Sequence, residues 1–517
     1  MSAPAFSSFR PLRRLGARLL VSTALLVPAA CAWVPDVGPA PAPRDAASFA
    51  TQASFATPAS EATAQWPQDR WWTAYGDPQL NALIDEGLAG APDLAAAAAR
   101  LRKAEALADQ ADSALLPHLT ANAQVTEDKQ SYRYLFPPAF VPKGYHEVPR
   151  GTLDLSYDFD FWGKNRASLA AATSEAEEAR AELAQARLTL SASIAAAYAD
   201  LAQQVADRDA AAEAVDVRAR SANLTRQRRD NGLETLGAVR QAEAREAAAR
   251  GDLAAEDEAI ALTRNRLAAL IGAGPDRGLA IQPPAQARLK AFGLPATLAA
   301  DLLGRRPDVV AARLKVEAEA KRIDVAKASF YPNVNLSAYF GFQTLGLNAL
   351  TKSGATIGSV GPAISLPLFD GGSLAAQYRG ARADYDAAVA DYDNTVAKAL
   401  QDVADAAAST RALEERLSHA RDALTAAADA YRIATARYEG KLSTYLDVLT
   451  AEDTLITDRR ALADLQARAF TLDVSLVRAL GGGYQSATPA VQTTAVQTPA
   501  APTPAAPTPA APTIAAR

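Results

Sequence analysis

The sequence predicts a mixed α+β membrane protein built as a trimer. Four strands per chain contribute to a twelve-stranded β-barrel, which continues into a long periplasmic α-helical barrel, and each chain holds two tandem structural repeats. Three observations carry this expectation. The chain repeats itself once. Each copy contains a helical run far longer than a globular domain needs. Each copy also contains two segments in which apolar and polar side chains alternate.

The chain opens on an export signal at residues 1–30. Arg10, Arg13, Arg14 and Arg18 form a basic start, and Leu19 to Ala30 is an apolar run of 12 residues ending in small side chains. Such a run is too short to cross a bilayer and has the length of a signal core. Cys31 follows Pro28-Ala29-Ala30, as in a lipoprotein cleavage box, although Pro28 stands where an aliphatic residue is usual. Two readings fit: acylation of Cys31, or ordinary cleavage after Ala30-Cys31-Ala32 with no lipid. Cys31 is the only cysteine, so no disulfide forms within the chain. Residues 31–66, rich in Pro, Ala and Ser, read as a tether.

The repeat is visible at fixed landmarks. Pro92-Asp93 and Leu116-Pro117 recur 215 residues later as Pro307-Asp308 and Tyr331-Pro332. Phe161-Trp162-Gly163 recurs 208 later as Phe369-Asp370-Gly371. Arg228, Leu233, Val239, Ala242, Glu243 and Gly272 recur 209 later as Arg437, Leu442, Val448, Ala451, Glu452 and Gly481. Small drifts in offset are those of an old duplication. The first repeat occupies residues 67–290 and the second 291–484.

Each repeat has the same element order. A helix comes first, at 93–116 and then 308–331. After two strands comes a proline-free run of 67 residues, 164–230 and 371–437. A shorter run follows, at 234–272 and 443–481. At about 1.5 Å per residue the long helix reaches about 100 Å, and the two shorter ones end to end about 95 Å. One long helix therefore matches two short ones in length, which suggests a cylinder. Alanine recurs throughout, as at Ala195, Ala196 and Ala197, and lets helices approach closely. A strict heptad seam is not evident.

The strands fall at 118–126, 151–161, 333–343 and 356–368. In the second of them Leu153, Leu155, Tyr157, Phe159 and Phe161 alternate with Thr152, Asp154, Ser156, Asp158 and Asp160. One face is apolar and the other polar or acidic. Pro362 and Pro367 weaken the fourth strand. Two readings fit the alternation: a membrane barrel, or a soluble sheet with one face on helices. The export signal and the long helices favour the barrel. Four strands cannot close a barrel, and an open edge is forbidden in lipid. Other copies must supply the rest. Residues 130–149 and 344–355 then become outer loops, and Gly163, Gly371 and Gly372 allow the sharp return from strand to helix.

Composition excludes several classes. A net charge of −5 offers nothing to a nucleic acid. His118, His146 and His419 show no metal-ligand spacing, and no nucleotide-binding or hydrolase motif appears. Neither cofactor nor enzymatic activity is expected. Residues 485–517 repeat Thr-Pro-Ala-Ala-Pro and read as a disordered tail.

At this point the motifs Trp71-Trp72-Thr73-Ala74-Tyr75-Gly76-Asp77-Pro78, Asp160-Phe161-Trp162-Gly163-Lys164, Arg305-Arg306-Pro307-Asp308 and Tyr445-Leu446-Asp447-Val448-Leu449 carry a resemblance. Over residues 66–484 the chain resembles the TolC/OprM family of outer-membrane efflux proteins, in its NodT-like lipoprotein branch. The resemblance implies a homotrimeric, lipid-anchored channel in the outer membrane that extends into the periplasm. It gives passive exit to substrates delivered by an inner-membrane pump through a periplasmic adaptor. The adaptor would dock on the hairpin tips at Gly232, Leu233, Gly440, Lys441 and Leu442. Lys441, not Gly440, stands 209 residues from Gly232, where the family usually has glycine.

Asp447 matches a family aspartate that lines the periplasmic constriction, where three copies form an acidic ring. Its counterpart in the first repeat is Ala238. A plain solvent-facing residue is the other reading of Asp447. The competing function is a periplasmic coiled-coil structural or adaptor protein without a pore. A secreted helical enzyme is a third class, with no catalytic constellation to support it.

Overall fold

The computed structural model describes residues 34–44, 48–49, 66–133, 137–284 and 304–486. The signal at 1–30, Cys31 and the tail beyond Ser486 lie outside the described residues. In chain order the elements are α1 (Pro78–Gly90), α2 (Pro92–Ser113), β1 (His118–Asp128), β2 (His146–Asp158), α3 (Lys164–Asp230), α4 (Leu236–Leu270) and α5 (Pro275–Leu279). They continue with α6 (Pro307–Ala328), β3 (Asn333–Gln343), β4 (Thr356–Ser365), α7 (Ser373–Glu439) and α8 (Tyr445–Ala479). Both long helices have 67 residues. Among the described residues no helix is long and apolar enough to cross a membrane.

The helices form one layer. Near the sheet its order is α2, α3, α6, α7, and further away α4, α3, α8, α7. Alanine makes this spacing possible: Ala195, Ala197 and Ala199 on α3 are fully buried, with no room for a larger side chain. The middle of the layer is thickened by a core of Trp71, Trp72, Tyr75, Leu80, Leu83 and Ile84 against Ile194 and Leu201 of α3 and Phe470 of α8. Asp77 caps α1 by accepting from Gln79 N at 2.8 Å and takes the Tyr198 hydroxyl at 2.7 Å. The Trp-Trp…Gly-Asp-Pro motif is thus a packing motif. Arg306 serves similarly: its guanidinium pairs with Asp308 (2.7 Å) and Asp402 (3.0 Å) and donates to the carbonyl of Ala479 (3.2 Å), joining α6, α7 and α8.

The four strands make one antiparallel sheet in the order β1-β2-β3-β4. Register decides what the sheet is for. Leu119 faces Leu155, Leu153 faces Phe340, Ala338 faces Val360, and Val334 faces Ile364. Thr120 faces Asp154, Ser156 faces Ser337, and Asn333 faces Ser365. One face is therefore apolar across all four strands and the other polar. The apolar face is not covered: Leu119 is 65% exposed, Val360 74% and Ile364 71%. A soluble sheet would bury that face under helices. Large uncovered apolar area of this kind marks a lipid or partner surface.

Strand ends differ from expectation in β1, β2 and β4, and β1 runs on to Asp128, past 126. β2 begins at His146 and stops at Asp158, not at 151 and 161, because its early residues pair with the far end of β1 up to Asp128. At its other end Asp160 turns to φ 36° so that its carboxylate accepts from Asn165 N and Arg166 N, both 3.0 Å, at the start of α3. Asp370 does the same for α7 through Gly372 N and Leu374 N, which moves that helix start to Ser373. β4 ends at Ser365, short of Pro367. Pro362 is accommodated because β4 has a single neighbour within the chain.

A strap from the N-terminal segment lies along α7. Arg382 donates to the carbonyl of Gly38 (3.3 Å), the Tyr385 hydroxyl to that of Pro41 (3.2 Å), and Arg44 N to Asp393 (2.9 Å). Lower strap numbers pair with lower helix numbers, so the strap leads back toward the sheet end of α7.

Candidate functional site

The end of the layer remote from the sheet holds two helix turns, α3–α4 and α7–α8. Both are built alike. Gly232 N donates to Arg229 O and Leu233 N to Arg228 O, both 2.8 Å. Lys441 N donates to Tyr438 O (3.1 Å) and Leu442 N to Arg437 O (2.8 Å). These are paired helix-ending bonds that need one left-handed residue. Gly232 supplies it at φ 74° and Lys441 at φ 62°, while Gly440 stays at φ −75°. The 209-residue offset therefore holds in three dimensions. A side chain at that angle costs about 1–2 kcal/mol relative to glycine.

The tips expose leucines: Leu233, Leu236, Leu446 and, at 74%, Leu442. Only Leu233 and Leu442 were expected there from sequence. Behind them the turns are clamped together. Arg228 lies 4.2 Å over the Tyr438 ring and donates to the Tyr438 carbonyl at 3.2 Å. The Tyr438 hydroxyl donates to Glu234 at 3.1 Å. Burial, and then the Glu234 charge, push Tyr438 up to about 12, so it remains a donor at any physiological pH.

Asp447 sits in the first turn of α8 and is exposed. Its carboxylate accepts from Thr444 N (3.0 Å) and from the Thr444 hydroxyl (3.1 Å), half of a capping box. Asp447 thus has a local structural task beside the one expected of it. In the first repeat Thr235 alone caps α4, through Ala238 N at 3.2 Å.

One turn further along α8 lies an ion-pair latch. Glu452 is fully buried, paired to Arg218 Nε at 3.1 Å and accepting from the Ser221 hydroxyl at 2.9 Å. Asp453 binds Arg218 at 2.5 Å and Arg245 at 2.6 Å. Arg218 belongs to α3 and Arg245 to α4, so the latch pins α8 to both. Burial pushes Glu452 above the usual carboxylate range, partly opposed by Arg218 and Ser221. Burial alone would also raise Asp453, but Arg218 and Arg245 more than offset it and hold it low.

The latch was not foreseen from sequence. A signal existed: Val448, Leu449, Glu452 and Leu455 form one helical stripe, and a carboxylate inside an apolar stripe must be buried and paired. In the sequence Glu452 stands out only as the repeat partner of Glu243. The latter lies on the surface with Arg226 and Arg240.

Known proteins are similar to this chain in sequence and in overall fold. The sequence profile of the family described as "Outer membrane efflux protein" matches residues 83–273 and 298–482. The fusaric acid resistance protein FusA of Burkholderia cepacia is 38% identical over 367 residues, covering 71% of this chain and 69% of that protein. The multidrug resistance outer membrane protein MdtP of Escherichia coli K12 is 32% identical over 439 residues, 83% of this chain and 89% of that one. Among solved structures, the outer membrane protein VceC of Vibrio cholerae superposes with a TM-score of 0.76 at 46% identity, covering 81% of this chain and all of that one. The outer-membrane channel OprN gives 0.78 at 30% identity over 88% of this chain and 100% of that chain.

Proposed function

The chain belongs to the outer membrane efflux protein family, and from that premise we propose that it is the trimeric exit duct of a tripartite efflux system. The observation that carries the trimer is the sheet. It has two open edges, β1 and β4, and an uncovered apolar face. Unpaired edges cannot sit in lipid, and four strands are half the smallest membrane barrel. Three sheets joined edge to edge give twelve strands with polar side chains inward. Strands of 10 to 13 residues have the length a tilted span needs. The helical layers continue the wall below.

Cargo leaves passively in this reading, which fits a sequence without a nucleotide-binding motif. An inner-membrane pump supplies the work, and a periplasmic adaptor joins the exposed leucine tips. Relatives named for multidrug and fusaric acid resistance support small toxic organic compounds as cargo.

Cys31 is acylated in this reading. The strap direction supports it. Seven residues separate Cys31 from Gly38, an extended reach of about 23 Å. Arg382, which holds Gly38, stands nine residues into α7, or about 14 Å from the sheet end. The anchor can therefore reach the inner leaflet.

Asp447 lines the constriction as a ring of three carboxylates. Asp447→Ala raises single-channel conductance or weakens block by divalent cations. It also removes a cap, at a cost of about 1 kcal/mol. Asp447→Asn separates the two tasks, since it keeps an acceptor for Thr444 N and removes the charge. If the asparagine variant conducts and is blocked like the parent, the acidic ring is not the constriction.

A further inference from the structure

Between the sheet and the middle of the layer, a groove of about 820 Å³ runs along the helices. It is lined by one stripe from each of α2, α3, α6 and α7, for instance Asp93, Glu182, Lys315 and Asp391, with Leu270 at the end of α4. A space that touches the first and the last helix of a layer lies on its concave side. The strap gives an independent bearing. At about 100° per residue, the α7 positions lining the groove (Asp391, Asn394, Thr395) average on the side opposite those that hold the strap (Arg382, Tyr385, Asp393). The groove therefore opens into the interior of the proposed duct, and the strap runs outside.

Its chemistry is two-sided. Leu94, Ala97, Leu190 and Ala311 form an apolar floor. Of its acidic residues, Asp308 is held by Arg306 and Asp391 is paired to Lys315 at 3.8 Å. Glu178 and Glu182, one turn apart on α3, and Asp93, in the first turn of α2, are without a basic partner in ion-pair contact among the described residues. Two carboxylates over an apolar floor suit a flat or elongated organic cation, whose charge meets the pair while its body covers the leucines.

We propose that this groove is an interior binding site for amphipathic organic cations, with Glu178 and Glu182 as its anionic anchors, one site per chain. It rests on the duct reading, and it deepens it by naming the class of cargo that would pause there.

Electrostatics around Glu178 give the site a pH dependence. Glu178 is half-buried and pushed up to about 7, by burial first, then by Glu182, Glu175 and Glu319, with Lys315 opposing. Across the groove stand Asp93 and Arg100 of α2 and Asp391 of α7. Below pH 7 Glu178 carries a proton and the site loses one negative charge. Above it Glu178 is ionised.

The test uses the purified assembly in lipid nanodiscs and ethidium as the cation, read by fluorescence anisotropy at low salt. The parent binds ethidium more tightly at pH 8 than at pH 6, by a few-fold. The double variant Glu178→Gln/Glu182→Gln loses about tenfold in affinity at pH 8, on the scale of one to two unit charges at a partly solvated site. Glu178→Gln alone flattens the pH dependence. Lys315→Gln, which removes an opposing positive charge, tightens binding. Unchanged affinity in the double variant overturns the proposal, as does equal binding of an anionic dye of similar size. If the glutamine pair does not assemble, unchanged ethidium affinity in Lys315→Gln overturns it instead. Conductance of the parent is measured in the same preparation. A conducting duct with no ethidium site refutes the groove alone, whereas a chain that never conducts refutes the duct.

Discussion

Leu153→Arg is expected to prevent assembly in the outer membrane. Leu153 lies in mid-sheet between Ala121 and Phe340, on the apolar face, and is 51% exposed in the isolated chain. An arginine at the lipid face of a barrel costs about 2–4 kcal/mol at mid-depth. In the proposed trimer the cost is incurred three times, comparable to the whole stability of a domain. Ser337→Arg, on the polar face and also exposed, is expected to point its charge into the aqueous interior of the proposed barrel and to assemble normally. The measurement is the fraction of each variant recovered from outer membranes as a heat-modifiable oligomer. If the sheet were soluble, Leu153 would be an ordinary exposed residue, and arginine there would change stability by about 0.5 kcal/mol or less. Equal recovery of the two variants would thus refute a lipid-facing sheet.

The second large effect is at the latch. Arg218→Ala leaves Glu452 fully buried and without its cation. Removing one partner of a buried pair costs about 3–5 kcal/mol. α8 gains freedom from α3 and α4, and with it the Asp447 turn. The expected result is a channel that is open more of the time. The pH dependence has a definite sign. The pKa of Glu452 is already raised, and without Arg218 it rises further, so the proton is retained at low pH and lost as pH climbs through the raised value. Opening in Arg218→Ala therefore increases with pH. Replacing both partners, as in Arg218→Met/Glu452→Met, removes the buried charge and restores closure. Single-channel recording of the three proteins between pH 5 and 8 checks this. A double variant as open as Arg218→Ala would show that the orphaned Glu452 charge is not what frees α8.

The sequence made some of this legible and hid the rest for physical reasons. Strand β3 and helix α3 fall where the pattern placed them, because alternation over 11 residues and a proline-free run of 67 leave little choice. The landmarks of the repeat also placed the two tips and identified Lys441 as the partner of Gly232. Strand ends were less clear. β2 starts at His146 because β1 pairs with it there, and pairing partners are not written in local alternation. The latch was the hardest to see. Arg218 and Glu452 lie far apart in the chain and meet only because α8 packs on α3. Asp447 was visible as a motif residue, but its capping of Thr444 depends on where α8 begins.

All of these expectations depend on one chain supplying a third of a closed wall. The most direct measurement is the native mass of the complex extracted from outer membranes in mild detergent. A mass of three mature chains, each beginning at Cys31 and carrying acyl chains, is the predicted result. A single chain that stays dispersed without detergent would contradict it.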